Sequence, residues 1–261
     1  VIEQPTHTFA AKITQLNKIK VGFVNYLNTR PLIYGFGHLP IKDQVILIEQ
    51  YPARLAGMLK DDEIDIGLIP VAVLPEIPGY KIVGDYCIAS EGEVASVCLF
   101  SEVPMNEIKK IYLDYQSRSS VALLKWLMKE FWGLQAELVH TTDDNFINKI
   151  KGSAAGLVIG DRALQQRRVS TFIYDLSSEW RKITGLPFVF AVWVSKKEFP
   201  ETFIRQFNEA NAEGLKHMNE IAAANPFPEF DLKKYYRFHI SYKLDERKMA
   251  GMQKFLEVME H

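Results

Sequence analysis

Two neutral amides, Asn25 and Asn28, flank Tyr26 and Leu27 in the stretch VGFVNYLNTRPL, residues 21–32. Val21, Phe23 and Val24 read as a short buried strand, and Pro31 and Leu32 as the first turn of a helix, where proline's missing N–H is no loss. Amides at the C-terminal end of a strand, just ahead of free helix N–H groups, are suited to holding a small anion. Asn28 as a simple helix cap is the competing assignment, although two amides exceed what one cap needs.

Other junctions carry similar chemistry. Ser96 sits in the apolar run EVASVCLFS, either as a small residue bonded to a neighbour or as a polar point in a pocket. In YQSRSSVALLKWL (115–127), Ser117, Ser119 and Ser120 surround a helix start. Hydroxyls and the helix dipole there favour a carboxylate by ~0.3–1 kcal/mol. LVIGDRAL (157–164) is a buried strand ended by Gly160 and capped by Asp161, and glycine there also permits close approach of a ligand to the backbone. TGLPFVFAVW (184–193) places a turn before an aromatic strand, of which Phe188, Phe190 or Trp193 can form an apolar pocket wall.

The elements that must position these groups alternate along the chain. Strands are expected at 20–25, 45–50, 64–69, 94–100, 110–114, 136–140, 155–159, 171–174 and 188–195. Helices are expected at 31–37, 52–60, 118–132, 144–151, 161–168, 176–183, 200–223 and 245–260. Such alternation argues for mostly parallel sheets covered on both faces. The helix at 118–132 has the clearest period, with Val121, Leu124, Leu127, Met128 and Phe131 near one face and Gly133 as its stop. No Pro/Gly-rich tether is visible, so a second lobe must be reached by crossing strands, and 94–100 and 188–195 are the candidates.

Composition narrows the function classes. The 261 residues carry a formal charge of −1 and 48% hydrophobic residues, so no basic field invites nucleic acid and no ~20-residue apolar run invites a membrane. Cys87 and Cys98 fit plain buried thiols. The six histidines (His7, His38, His140, His217, His239, His261) share no metal spacing. Nothing in the sequence calls for a cofactor or a metal. The first twenty residues lack an export pattern, which points to the cytoplasm.

Five segments in order, VGFVNYLNTRPL, DIGLIPV (65–71), SRSSVALL (117–124), VIGDRAL (158–164) and W-x3-TGLPFVFAVW (180–193), resemble the chorismate dehydratase family of the futalosine route to menaquinone. The likeness runs from about residue 20 onward and includes the closing segment YYRFHISYKLDERKMAGMQKFLEVM. It implies an α/β, two-lobed, type II periplasmic-binding-protein-like fold with two crossing strands and an inter-lobe cleft. Residues 1–97 plus 192–261 would form lobe one and 98–191 lobe two.

The implied reaction is dehydration of the dicarboxylate chorismate to 3-[(1-carboxyvinyl)oxy]benzoate, without cofactor. By the same resemblance, Asn28 and Ser96 carry over as the reacting positions. Tyr26, Ser117, Ser119, Ser120, Gly160, Asp161 and Phe190 complete the expected substrate site, with Ser96 and Ser119 holding carboxylates. Asp161 is taken as a cap, which leaves the substrate's own enolpyruvyl carboxylate as the base. Arg30 is left open between a contact to the dicarboxylate and solvent. A solute-binding protein without catalysis is the runner-up. A sister enzyme forming a cyclic futalosine derivative is weaker still, because its Asn-Asp-Thr-Phe motif is not matched.

Overall fold

The computed structural model describes residues 18–259, with two mixed sheets. Segment 1–17, counted above with lobe one, lies outside the described residues, as do His7, His261 and the last residue of the helix expected at 245–260. The strands are β1 (Ile19–Val24), β2 (Val45–Gln50), β3 (Ile66–Pro70), β4 (Lys81–Ser90), β5 (Val97–Ser101), β6 (Lys110–Leu113), β7 (Glu137–His140), β8 (Ala154–Ile159), β9 (Phe172–Asp175), β10 (Phe188–Ser195) and β11 (Ser241–Lys243). The helices are α1 (Arg30–His38), α2 (Pro52–Lys60), α3 (Arg118–Leu127), α4 (Asp161–Gln166), α5 (Leu176–Thr184), α6 (Glu201–Lys216), α7 (Met218–Ala224), α8 (Leu232–Lys234) and α9 (Glu246–Met259).

The first sheet has the order β11-β4-β10-β3-β1-β2 and the second β7-β6-β8-β5-β9. β1 lies parallel to β2 and β3, and β6 parallel to β7 and β8, as βαβ crossovers require. The remaining pairings, β10 with β3 and β4, β11 with β4, and β5 with β8 and β9, are antiparallel. The sheets are therefore mixed, not mostly parallel. The antiparallel members are the strands next to the passages between sheets, where the chain returns against the direction of its neighbours.

The chain leaves the first sheet at Ser90 and enters the second at Val97. It returns from β9 through α5 and the turn 185–187 to β10. Each crossing strand expected from sequence thus begins just after a passage, and Phe188–Ala191, grouped above with lobe two, pair in the first sheet. Trp180 pins the return. Its indole donates to the Pro187 carbonyl at 3.2 Å, and its ring meets Phe188 and Phe255 edge-on at 5.5 and 6.0 Å.

One apolar core runs through both sheets, and a smaller cluster surrounds Cys98, Phe100, Phe146 and Val158. β3 and β5 are buried along their whole length, whereas the edge strand β2 exposes Ile46 and Leu47. The periodic segment at 118–132 is α-helical to Leu127, widens into a π turn over Met128–Trp132, and stops at Gly133 in the left-handed region (φ 58°). The segment at 144–151 forms only a 3₁₀ turn, Asp144–Lys149, and the one at 200–223 breaks at His217 into α6 and α7. Cys87 and Cys98 are free and buried. No described helix is long and apolar enough to cross a membrane.

Candidate functional site

β1 delivers the chain to one edge of a cleft between the sheets. A 3₁₀ turn over Leu27–Thr29 leads into α1, and neither element has a side-chain cap. Asn28 therefore does not cap. Its Oδ1 accepts a hydrogen bond from Thr29 Oγ1 at 3.2 Å, which leaves the amide NH₂ to be offered elsewhere. Asn25 is exposed and accepts from Arg30, which does not line the cleft.

Tyr26 crosses to the other sheet. Its hydroxyl donates to Gln116 Oε1, whose amide in turn donates to Tyr115 Oη at 2.7 Å. The Tyr26 ring lies on Gly160. With φ +65° and ψ −148°, Gly160 occupies backbone space that is essentially glycine-only, and a Cβ there would stand 3.1 Å from the ring. Burial, reinforced by the Asp114 carboxylate, pushes the Tyr26 phenol far above its ordinary range against the pull of Arg162. The phenol stays a neutral donor.

The second sheet contributes the start of α3. Ser117 caps it, accepting from Ser120 N at 3.1 Å and donating to Ser120 Oγ at 2.8 Å. The Ser120 proton and the first helix N–H groups are left for an anion. Ser119 behaves differently. Its hydroxyl accepts from Ala72 N at 3.0 Å and donates to the Phe190 carbonyl at 3.3 Å, so it ties α3 to the first sheet's side of the cleft. That use competes with the carboxylate-holding role expected for it. Ser119→Ala leaves a buried N–H and carbonyl unpaired and is expected to lower unfolding free energy by about 1–3 kcal/mol in denaturant titrations.

Asp161 corrects the capping assignment. It is the first residue of α4, but its carboxylate accepts the Leu27 N–H across the cleft at 3.1 and 3.4 Å. Burial raises its pKa to about 6, opposed by the Leu27 N–H and by the Arg30 and Arg162 guanidinium groups. Because this folded-state value lies above that of the unfolded chain, the group's contribution falls as pH rises from about 4 to about 6. An Asp161→Asn amide oxygen keeps the Leu27 bond without that penalty. Between pH 4 and 7, the variant should gain stability relative to the native chain by on the order of 1–3 kcal/mol, measured by chemical denaturation at both pH values.

Ser96 lies in the passage between sheets, one residue ahead of β5. Ala95 before it is held in the left-handed region (φ 63°), which non-glycine residues rarely adopt. Asp175 holds that conformation by accepting from Val94 N (3.2 Å), Ala95 N (2.8 Å) and Ser178 N (3.0 Å). Ser96 is fully buried, and its Oγ accepts from the Tyr235 hydroxyl at 2.7 Å.

The cleft between these groups encloses about 590 Å³ of atom-free space, its open mouth included. Tyr26, Asn28, Ser96, Ser117, Ser119 and Ser120 line it together with Gly160 and Phe190, and apolar walls come from Val24, Leu68, Ile88 and Ile159. Asp161 is not among the lining residues. Phe188 and Trp193 are fully buried in the core and do not line the cleft. Thr29, Gln116 and Tyr235 were not anticipated. Thr29 had only its place beside Asn28 to signal it, and the other two are linked to the site by contacts across the fold. Among the described residues no acidic, histidine or cysteine cluster is arranged to hold a metal ion.

Comparison with known proteins places this architecture. A chorismate dehydratase of Thermus thermophilus is 27% identical over 92% of this chain and 94% of its own. A structural-genomics protein of Archaeoglobus fulgidus superposes with a TM-score of 0.74 at 15% identity, covering 94% of this chain and 98% of that one. The periplasmic aliphatic sulphonate binding protein SsuA of Escherichia coli does so with a TM-score of 0.63 at 15% identity, covering 93% and 91%. The likeness to the last two shows the fold alone, which in SsuA is that of a periplasmic binding protein. The family model described as menaquinone biosynthesis matches residues 19–261. On that match across nearly its whole length, the chain belongs to the menaquinone-biosynthesis family.

Proposed function

We propose that this chain dehydrates chorismate to 3-[(1-carboxyvinyl)oxy]benzoate and water in the cleft between the two sheets. The observation that carries the reading is the set of neutral donors, the Asn28 amide, the Ser96 and Ser120 hydroxyls and the start of α3, gathered from both sheets around one cleft with apolar walls. A ring with one carboxylate attached to it and a second on its enolpyruvyl ether fits that division of polar and apolar surface.

The reaction breaks the C3–H and C4–O bonds of the substrate. The C3 electron pair becomes a ring π bond as hydroxide leaves C4, and the C3 proton ends on that hydroxide as water. Aromatisation drives the step, so the protein has to orient the dianion and stabilise charge as it develops. Negative charge at C3 delocalises through the ring double bond into the C1 carboxylate, and a donor fixed against that group contributes about 2.7–4 kcal/mol. Asn28 positions the reacting edge of the ring, and Ser96 and the start of α3 hold the carboxylates.

No carboxylate, imidazole or amine lines the cleft among the described residues. The Tyr26 phenol is pushed away from ionisation, and the Asp161 carboxylate is engaged by the Leu27 N–H and does not line the cleft. The base is accordingly the substrate's own enolpyruvyl carboxylate, which takes the C3 proton and passes it to the leaving hydroxide.

The test is incubation of the purified chain with chorismate, followed by chromatography and a thermal melt. Formation of 3-[(1-carboxyvinyl)oxy]benzoate supports the reading. A raised melting temperature without product would replace it by anion binding without catalysis, which the fold also serves. Neither product nor thermal shift would overturn it.

A further inference from the structure

We propose that Tyr235 is a positioning residue that fixes the hydrogen-bond role of Ser96 toward the substrate. The inference rests on the dehydratase reading and adds to it a residue from the C-terminal segment. Tyr235 opens a π turn, Tyr235–His239, a wide turn found frequently at functional sites. Its ring is fully buried and wedged among Phe230, Tyr236 and His239, with centroids at 6.0, 5.8 and 6.4 Å.

Proton counting gives the roles. A phenol has one proton, and Tyr235 donates it to Ser96 Oγ at 2.7 Å. Ser96, having accepted, keeps its own proton, and its protein acceptor, the Val94 carbonyl, is distant at 3.5 Å. That proton is available to a substrate carboxylate. The bond runs from the Tyr235 O–H to Ser96 Oγ and polarises the Ser96 O–H. Burial pushes the phenol far above its ordinary pKa, so it remains a donor to Ser96 at neutral pH.

Two neighbouring phenols supply the contrast. Tyr236 and Tyr242 are equally buried, but their hydroxyls have no hydrogen-bond partner. Only the Tyr235 hydroxyl of these three is tied to the site.

The experiment compares the native full chain with Tyr235→Phe, Ser96→Ala, the double variant and Tyr236→Phe. Steady-state kinetics on chorismate are measured after circular dichroism confirms folding. Tyr235→Phe should lower kcat by about 10–30-fold with KM changed less than about 3-fold, the signature of an interaction that matters in the transition state. In the Ser96→Ala background the same change should cost less than about 2-fold, since the two residues act as one unit. Tyr236→Phe should leave kcat within about 2-fold. Equal losses in both backgrounds, full activity of Tyr235→Phe, or an equal loss in Tyr236→Phe would overturn the proposal.

A native chain that fails to turn chorismate over would defeat the dehydratase reading by itself. The same proteins would then be titrated calorimetrically with 3-[(1-carboxyvinyl)oxy]benzoate. Coupled affinity losses for Tyr235 and Ser96 would sustain the positioning role, and independent losses or absent binding would end it.

Discussion

Asn28→Ala is expected to lower kcat for chorismate by about 10²–10³-fold, the usual consequence of removing one fixed donor from a developing negative charge. Several features of the site support an effect of that size. The Asn28 carbonyl is engaged by Thr29, so the amide NH₂ has a fixed direction before substrate arrives. Asn28 is also only partly buried and caps neither its own turn nor α1, so its removal spares the fold. The loss should therefore appear in kcat much more than in melting temperature, and more than in KM if the contact strengthens in the transition state. A variant retaining kcat within about 3-fold would remove Asn28 from the chemistry.

Arg162→Met is expected to destabilise the protein by about 3–5 kcal/mol, the penalty for leaving a buried charge without its partner. The Asp114 side chain is 0% exposed, and Arg162 reaches both its oxygens, at 3.0 and 2.8 Å. Asp114 also accepts from Gln116 N (3.0 Å) and Ile159 N (3.1 Å). The pair thus ties the loop ahead of Ser117 to the end of β8, just before Gly160. Burial raises the Asp114 pKa, with Arg162 the main opposing influence. Without the guanidinium the carboxyl should protonate more readily, and the deficit should shrink at low pH. Denaturant titrations at pH 5 and pH 8 measure both effects. A variant as stable as the native chain at pH 8 would mean that Asp114 finds another partner or water.

The residues around the cleft were legible because local signals at strand-to-helix junctions mark them. The amides after β1, the serines at the α3 start and the glycine after β8 need no knowledge of distant partners. Gly133 ended its segment for the same local reason, as a left-handed stop. What escaped depends on contacts between remote parts of the chain. β4 was missed because Gly84, with φ 69°, and Asp85 interrupt its pattern, and its pairing with β10 is bulged. Ser119 looked like its neighbours, and its bonds to Ala72 and Phe190 exist only once the two sheets face each other. Asp161 resembled a cap because its acceptor role toward Leu27 spans 134 residues. Tyr235, 139 residues from Ser96, had no local mark at all.

The central claim is that this chain removes water across C3 and C4 of chorismate, and the most direct test uses chorismate deuterated at C3. Mass spectrometry after incubation with the native chain should show 3-[(1-carboxyvinyl)oxy]benzoate free of deuterium, formed by loss of HDO. Chorismate recovered unchanged, or a product that retains the deuterium, would contradict the account.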